Sequence, residues 1–192
     1  MKKVQAIANQ QNQKQLERTT GVHITYSDSA KVKAILTAPV LMRYTDNRPN
    51  RTAKNDESYN EMPKSLKIVF YDDSLKIKST VTSDYGIQRE RKKLTQLRKN
   101  VVATNDKKET FKSDELIWDE NTREFYSNKL VSITLANGSV IHGTSFRSNE
   151  NFSPYTITQT TGTFNVNEDF TSDSTQRLPD STAKRADSTR KN

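Results

Sequence analysis

The chain has 192 residues, 31% of them hydrophobic, and its 31 Lys and Arg outnumber 23 Asp and Glu for a formal charge of +8. Cysteine is absent, which excludes disulfide frameworks and thiolate metal sites. The longest unbroken apolar run, Ile68 to Tyr71, falls far short of the ~20 residues that a membrane-spanning helix needs. A low apolar fraction in one domain's length of chain implies a thin core with polar tails.

In chain order, residues 1–21 are rich in Gln and Asn and read as a linker. The opening "MKK" imitates the charged start of a signal peptide, yet "VQAIANQQNQKQ" follows where an apolar stretch belongs. The start is therefore read as trimmed, with any membrane anchor expected upstream. A domain is expected over residues 22–168 and a disordered polar tail over 169–192. "VKAILTAPVLMRY" alternates Val32, Ala34, Leu36, Ala38, Val40 and Met42 at steps of two, which predicts a long strand. Pro39 cannot donate to a ladder and points to an edge position there.

Residues 46–61 are polar and predict a long loop. Beyond it, "LKIVFY" places Leu66, Ile68 and Phe70 on one face, and "LKIKSTVTSDYG" does the same for Leu75, Ile77, Val81 and Tyr85. The link "YDDS" between them reads as a hairpin turn, with Asp side chains free to bond the following backbone. Further hairpins are predicted at Asn105-Asp106 and Asn137-Gly138, the latter on a dipeptide that tolerates positive φ. Val131, Ile133 and Leu135 alternate with Ser132 and Thr134. Seven to ten strands joined by tight turns leave little room for helix. The segments "IKSTVTSDY", "TFKSDELIW" and "IHGTSFRSN" echo one another at about 30 to 34 residues, and "KNVVATND" echoes "KLVSITLANG". Such repetition points to stacked strand pairs, a solenoid or an open jelly roll.

Reactive chemistry is sparse. His23 and His142 are the only histidines. Neither sits in a nucleophile motif, and two distant imidazoles without Cys make a poor metal set. Asp72-Asp73, Asp114-Glu115 and Asp119-Glu120 read as solvated turn acids rather than a glycosidase pair. The basic run "QRERKKLTQLRKN" lacks interleaved aromatics, so it suits a solvated loop or an acidic partner, not nucleic acid. Trp118, the single tryptophan, either packs at a sheet edge or stacks on a sugar. With one apolar face on nearly every strand and no covering helices, the sheet must close on itself or face a second sheet. Splayed sheets would leave an apolar groove and closed ones a core; composition does not choose between them.

Several segments, in order, carry a resemblance: "APVLMRY" (38–44), "TSDYG" (82–86), "NVVATN" (100–105), "SDELIWDENTREFYSN" (113–128) and "GTSFRSNENFSPY" (143–155). Over about residues 22–164 the chain resembles the LptC family of lipopolysaccharide export, especially its Bacteroidetes-type members. The resemblance implies an all-β fold, an open β-jelly-roll of two splayed antiparallel sheets of the LptA/LptC/OstA kind, with disordered tails. It also implies a periplasmic protein held at the inner membrane. Such a protein takes lipopolysaccharide from an inner-membrane ABC transporter and passes it to an LptA-like bridge protein, without cofactor, metal or catalysis of its own. A lipid groove is then expected at Leu36, Val40, Met42, Ile68, Phe70, Ile77, Val81, Tyr85, Val131, Ile133, Phe146 and Ile157. The uncharged final strand "YTITQTTGTFNV", with Tyr155, Ile157, Thr160 and Phe164, is the expected partner edge. The rival reading is a non-catalytic β-sandwich module that binds carbohydrate or acts as an adhesin, through surface aromatics such as Trp118.

Overall fold

The computed structural model describes residues 14–50, 52 and 55–163. Fourteen strands follow in chain order: β1 (Lys14–Asp28), β2 (Lys31–Asp46), β3 (Tyr59–Met62), β4 (Leu66–Tyr71), β5 (Ile77–Ser83), β6 (Tyr85–Arg89), β7 (Leu94–Asn105), β8 (Thr110–Asp119), β9 (Glu124–Ser127), β10 (Val131–Thr134), β11 (Val140–Gly143), β12 (Ser145–Asn149), β13 (Tyr155–Thr158) and β14 (Thr161–Thr163). Among the described residues the only helical element is one 3₁₀ turn at Glu90–Lys92, where the basic run passes a corner. All pairings are antiparallel.

The long strands each have two sets of partners. β2 pairs β4 through Ala34–Thr37 but β3 through Met42–Tyr44. β7 pairs β6 with its first half and β5 with its second. β8 pairs β10 through Thr110–Ser113 and β9 through Ile117–Asp119. The sheet is thus folded along a crease that these strands cross. One layer runs β2-β3-β6-β7-β8-β9-β12-β13, the other β2-β4-β5-β7-β8-β10-β11-β14, and β1 flanks β2 along both. This is a β-jelly-roll of two facing antiparallel layers.

The crease is written into the chain at a fixed step. The path crosses it at Asp84, Lys99, Asp114, Lys129, Thr144 and Gln159, every fifteen residues. Each leg between crossings is a hairpin, laid alternately in one layer and the other. The three echoed segments straddle the crossings at Asp84, Asp114 and Thr144, which gives the repetition its structural meaning. Backbone bonds stitch the line: Ser65 N donates to Asp84 O at 2.8 Å, Asp84 N to Lys99 O at 3.0 Å, and Thr144 N to Thr158 O at 3.0 Å. On β2 the crease falls at Pro39, which faces the gap between β3 and β4 and lies opposite Gly21 in the β1 register. Gly21 has φ +63°, a conformation that costs glycine nothing. Pro39 is thus not on an edge strand. It sits where a ladder bond is already interrupted, so its missing N–H is harmless.

Two other boundaries differ from expectation. β1 begins at Lys14 rather than near Val22, although residues 15–20 are exposed. Its register with β2 runs from Lys14↔Asp46 to Asp28↔Lys31; backbone pairing rather than burial holds its first half, which no apolar pattern announces, while Ile24 and Tyr26 of its second half pack against the core. β3 begins inside the polar stretch 46–61 and runs one residue past it, with Asn60 and Met62 turned inward. The expected hairpins do form. Asp72 Oδ1 accepts Ser74 N at 2.8 Å and Lys76 N at 2.9 Å, and Asn105 Oδ1 accepts Lys107 N at 3.1 Å. Gly138 takes φ +83° in the turn of β10–β11. The expected tail, 169–192, and the end of the expected domain lie outside the described residues.

Candidate functional site

Alternation along the strands delivers one apolar row per strand into the space between the layers. Leu36, Ile68, Phe70, Val81, Val131, Ile133 and Phe146 of the expected groove meet there in one buried cluster, and Ile157 packs against it. Rings join the two layers. Phe70 lies 5.1 Å from Trp118 and 5.6 Å from Phe125, and Phe111 lies 5.5 Å from Phe146. Each such pair adds roughly 0.5–1.5 kcal/mol beyond the burial of its area. Phe111, Trp118, Phe125 and Phe152 belong to this cluster but were not among the expected groove residues. For Trp118 and Phe125 the signal was present, since both alternate with polar neighbours in "ELIWDENTREFYS". Phe152 stands in a turn, where no periodicity marks it.

Four expected residues lie elsewhere. Val40 is buried near the crease, outside the central cluster, and Met42 is only half-buried. Ile77 is 58% exposed. Across the β4–β5 ladder, Phe70 pairs Ser79 while Tyr71 pairs Ile77, so Lys78 is the extra residue of a bulge and Ile77 turns outward. Tyr85 follows the crossing at Asp84, where the inward row passes from Ser83 to Gly86. Its hydroxyl donates to Glu61 Oε1 at 2.7 Å on the other face, and burial beside that carboxylate pushes the phenol up to about 12.

The interior is closely filled. The hollow among Val101, Phe111, Leu116, Val131, Phe146 and Phe152 measures about 10 Å³, room for barely one water molecule. Larger hollows lie along the crease, about 470 Å³ beside His23 and Pro39 and about 510 Å³ beside Leu130 and His142.

Opposite the crease, the hairpin tips of the two layers face each other across the open side of the fold. There a cleft of about 360 Å³ is bounded by Tyr26 and Lys33 from one layer and Lys93, Glu120, Arg123 and Glu150 from the other. Gln88 Nε2 donates to Tyr26 Oη at 2.6 Å, and Trp118 Nε1 donates to Glu150 Oε1 at 3.1 Å. Arg123 Nε reaches Glu150 Oε2 at 3.1 Å. Burial raises the Tyr26 phenol, and the Glu120 carboxylate adds to the shift. Burial raises the Glu120 carboxyl too, Glu150 adds to it, and Lys93 opposes. The open side is therefore a polar rim over an apolar interior.

At the far end the expected single final strand is two short ones. β13 edges one layer and β14 the other. Tyr155 and Ile157 are half-buried on β13, and Thr160 lies exposed in the link between the two. Phe164 lies outside the described residues.

Among the described residues no group of three or more His, Asp or Glu is placed to hold a metal ion, and no helix is long and apolar enough to cross a membrane. The chain matches no curated protein. A family model described as "Lipopolysaccharide-assembly, LptC-related" matches residues 63–165, more than half of the chain and the span that contains β4 to β14. Facing apolar layers beneath a polar rim suit an amphiphile with acyl chains and a charged head. With the family match over eleven of its strands, the chain belongs to the LptC-related lipopolysaccharide-assembly family and has its role in lipopolysaccharide transport in the cell envelope.

Proposed function

We propose that this protein receives lipopolysaccharide from an inner-membrane ABC transporter and passes it to an LptA-like bridge protein, with acyl chains travelling between the two layers. The observation that carries the reading is the apolar lining to which β2 to β5, β7 to β10 and β12 contribute from both layers. An acyl chain crossing water needs such a lining, since each exposed CH₂ costs about 0.8 kcal/mol. The interior is filled in the present state, so passage requires the layers to part on the side opposite the crease. The fifteen-residue step makes that lining modular, and a bridge protein can extend it by adding strands to the β13 and β14 edges. The work of transport comes from the transporter, and this chain acts as a conduit without chemistry of its own. In the cell it stands in the periplasm attached to the inner membrane.

A sugar-binding surface finds no support at Trp118, which is 2% exposed and faces the core. Photoreactive residues placed singly along β10 and β12 test the conduit. Labelling of lipopolysaccharide is expected from the inward positions 133 and 146 and not from the outward positions 132 and 147. Labelling from outward positions alone would sink the reading.

A further inference from the structure

Among the rings between the layers, Phe152 is held differently from the rest. Phe70, Phe111, Trp118, Phe125 and Phe146 belong to strands, whereas Phe152 belongs to the turn between β12 and β13. It is 0% exposed and takes φ +54°, a conformation disfavoured for a bulky side chain. Its ring lies 4.8 Å from Phe125, 5.1 Å from Phe111 and 5.9 Å from Phe146, so it fills the middle of the cluster.

Side-chain bonds rather than a ladder hold the turn in place. Asn149 Oδ1 accepts Asn151 N at 2.9 Å and Ser153 N at 3.4 Å, while Asn149 Nδ2 donates to Ser153 O at 2.9 Å. From the opposite layer Asn105 Nδ2 donates to Phe152 O at 3.4 Å, Lys107 Nζ to Ser153 Oγ at 3.1 Å, and Ser79 Oγ to Glu150 O. The turn is thus a strap across the open side of the fold. Releasing it breaks no β-ladder, removes one ring from the interior and undoes three side-chain bonds between the layers.

We propose that the space filled by Phe152 is an acyl-chain subsite, and that the strap Glu150–Pro154 lifts to vacate it when lipopolysaccharide enters. This rests on the conduit reading above and specifies where in the conduit a chain first lodges. The occupant must be largely apolar, because Val101, Phe111, Leu116, Val131 and Phe146 line the hollow beside the ring, with Ser113, Ser127 and Lys112 as its polar lining. A headgroup or free sugar could not replace it without leaving polar groups unpaired. Only the fraction of molecules with the strap lifted would bind, which lowers the apparent affinity of the resting protein by that fraction.

The test is amide hydrogen exchange on the whole chain with lipopolysaccharide, and with its fully deacylated form, as probes. Bound lipopolysaccharide should accelerate exchange at Asn151 and Ser153, and the deacylated form should not. Phe152→Ala should bind lipopolysaccharide about tenfold more tightly, a factor worth roughly 1.4 kcal/mol. Asn149→Ala keeps the ring but loosens the strap, and should shift affinity the same way; it decides the matter if the first variant fails to fold. Unchanged exchange at Asn151 and Ser153 in the lipid-bound protein, or folded variants binding no more tightly than the parent, overturns the subsite and leaves the conduit standing. Equal acceleration by the deacylated form overturns it too, by assigning the strap to the headgroup. Absence of lipopolysaccharide binding in parent and variants alike removes the conduit and the subsite together.

Discussion

Glu120 shows how the rim of the cleft trades stability for position. Its carboxyl is partly buried beside Glu150, and burial raises its pKa above the ordinary carboxylate value. The folded chain therefore holds this proton more tightly than the unfolded chain does. The acid form favours folding at low pH, and that contribution is lost as pH rises through the folded value. At neutral pH the ionised group is thus a modest cost, limited by its partial exposure. Glu120→Gln is expected to raise the thermal midpoint at neutral pH, with the gap closing as pH falls into the carboxylate range. A lower midpoint for the variant at neutral pH would show that its bonds to Thr95 and Gln88 outweigh its burial.

At the scale of elements, the exposed strand edges differ in how they are guarded. β1 runs along one side of the fold and carries Glu17, Arg18, His23 and Asp28. β13 and β14 carry no charge, which leaves them open to another chain. Gly162 sits at the centre of β14, and a Cβ there would lie 2.5 Å from Val140 O and 3.2 Å from Ile141 Cα on β11. Backbone atoms cannot yield as a flexible side chain can. Gly162→Ala should unseat β14 and weaken binding of an LptA-like partner several-fold, read by titration calorimetry. The melting temperature should hardly move, because β14 is exposed throughout. Unaltered affinity in the variant would place docking on another edge. Thr160, expected to lie within a single final strand, instead belongs to the link where the chain changes layer, so a proline there would remove no ladder donor.

The two layers are expected to unfold as one unit, because β2, β7 and β8 run through both and the core lies between them. Phe70 projects from the β4 layer onto Trp118 and Phe125 of the other. Phe70→Ala should cost about 3–5 kcal/mol, the usual range for a buried ring. The loss should appear in one transition, with the near-ultraviolet dichroism of the aromatic cluster and the far-ultraviolet signal of the strands moving together. Separate midpoints would mean that the layers melt independently about the crease. Under the proposed conduit reading, opening for a lipid would be a hinge motion, with backbone ladders intact and only side-chain contacts between layers exchanged.

Sequence alone determined the β class, the inward rows of Leu36, Ile68, Val81, Val131 and Ile133, the turns at Asp72, Asn105 and Asn137, and the family. Each depends on information within a few residues, whether a period of two, a turn side chain or an ordered set of short motifs. Tertiary structure decided the rest. Ile77 left the inner face because of a bulge, and Tyr85 because the chain crosses the crease one residue before it. The first half of β1 was hidden since its support is the ladder to β2 rather than its own burial, and β3 was masked by polar neighbours. Whether the layers enclosed a groove or a core depended on how tightly rings from distant strands packed, with Phe152 supplied by a turn. Such packing is set by pairs far apart in the chain, as between Phe70 and Trp118 or Phe111 and Phe152, and no local pattern encodes it.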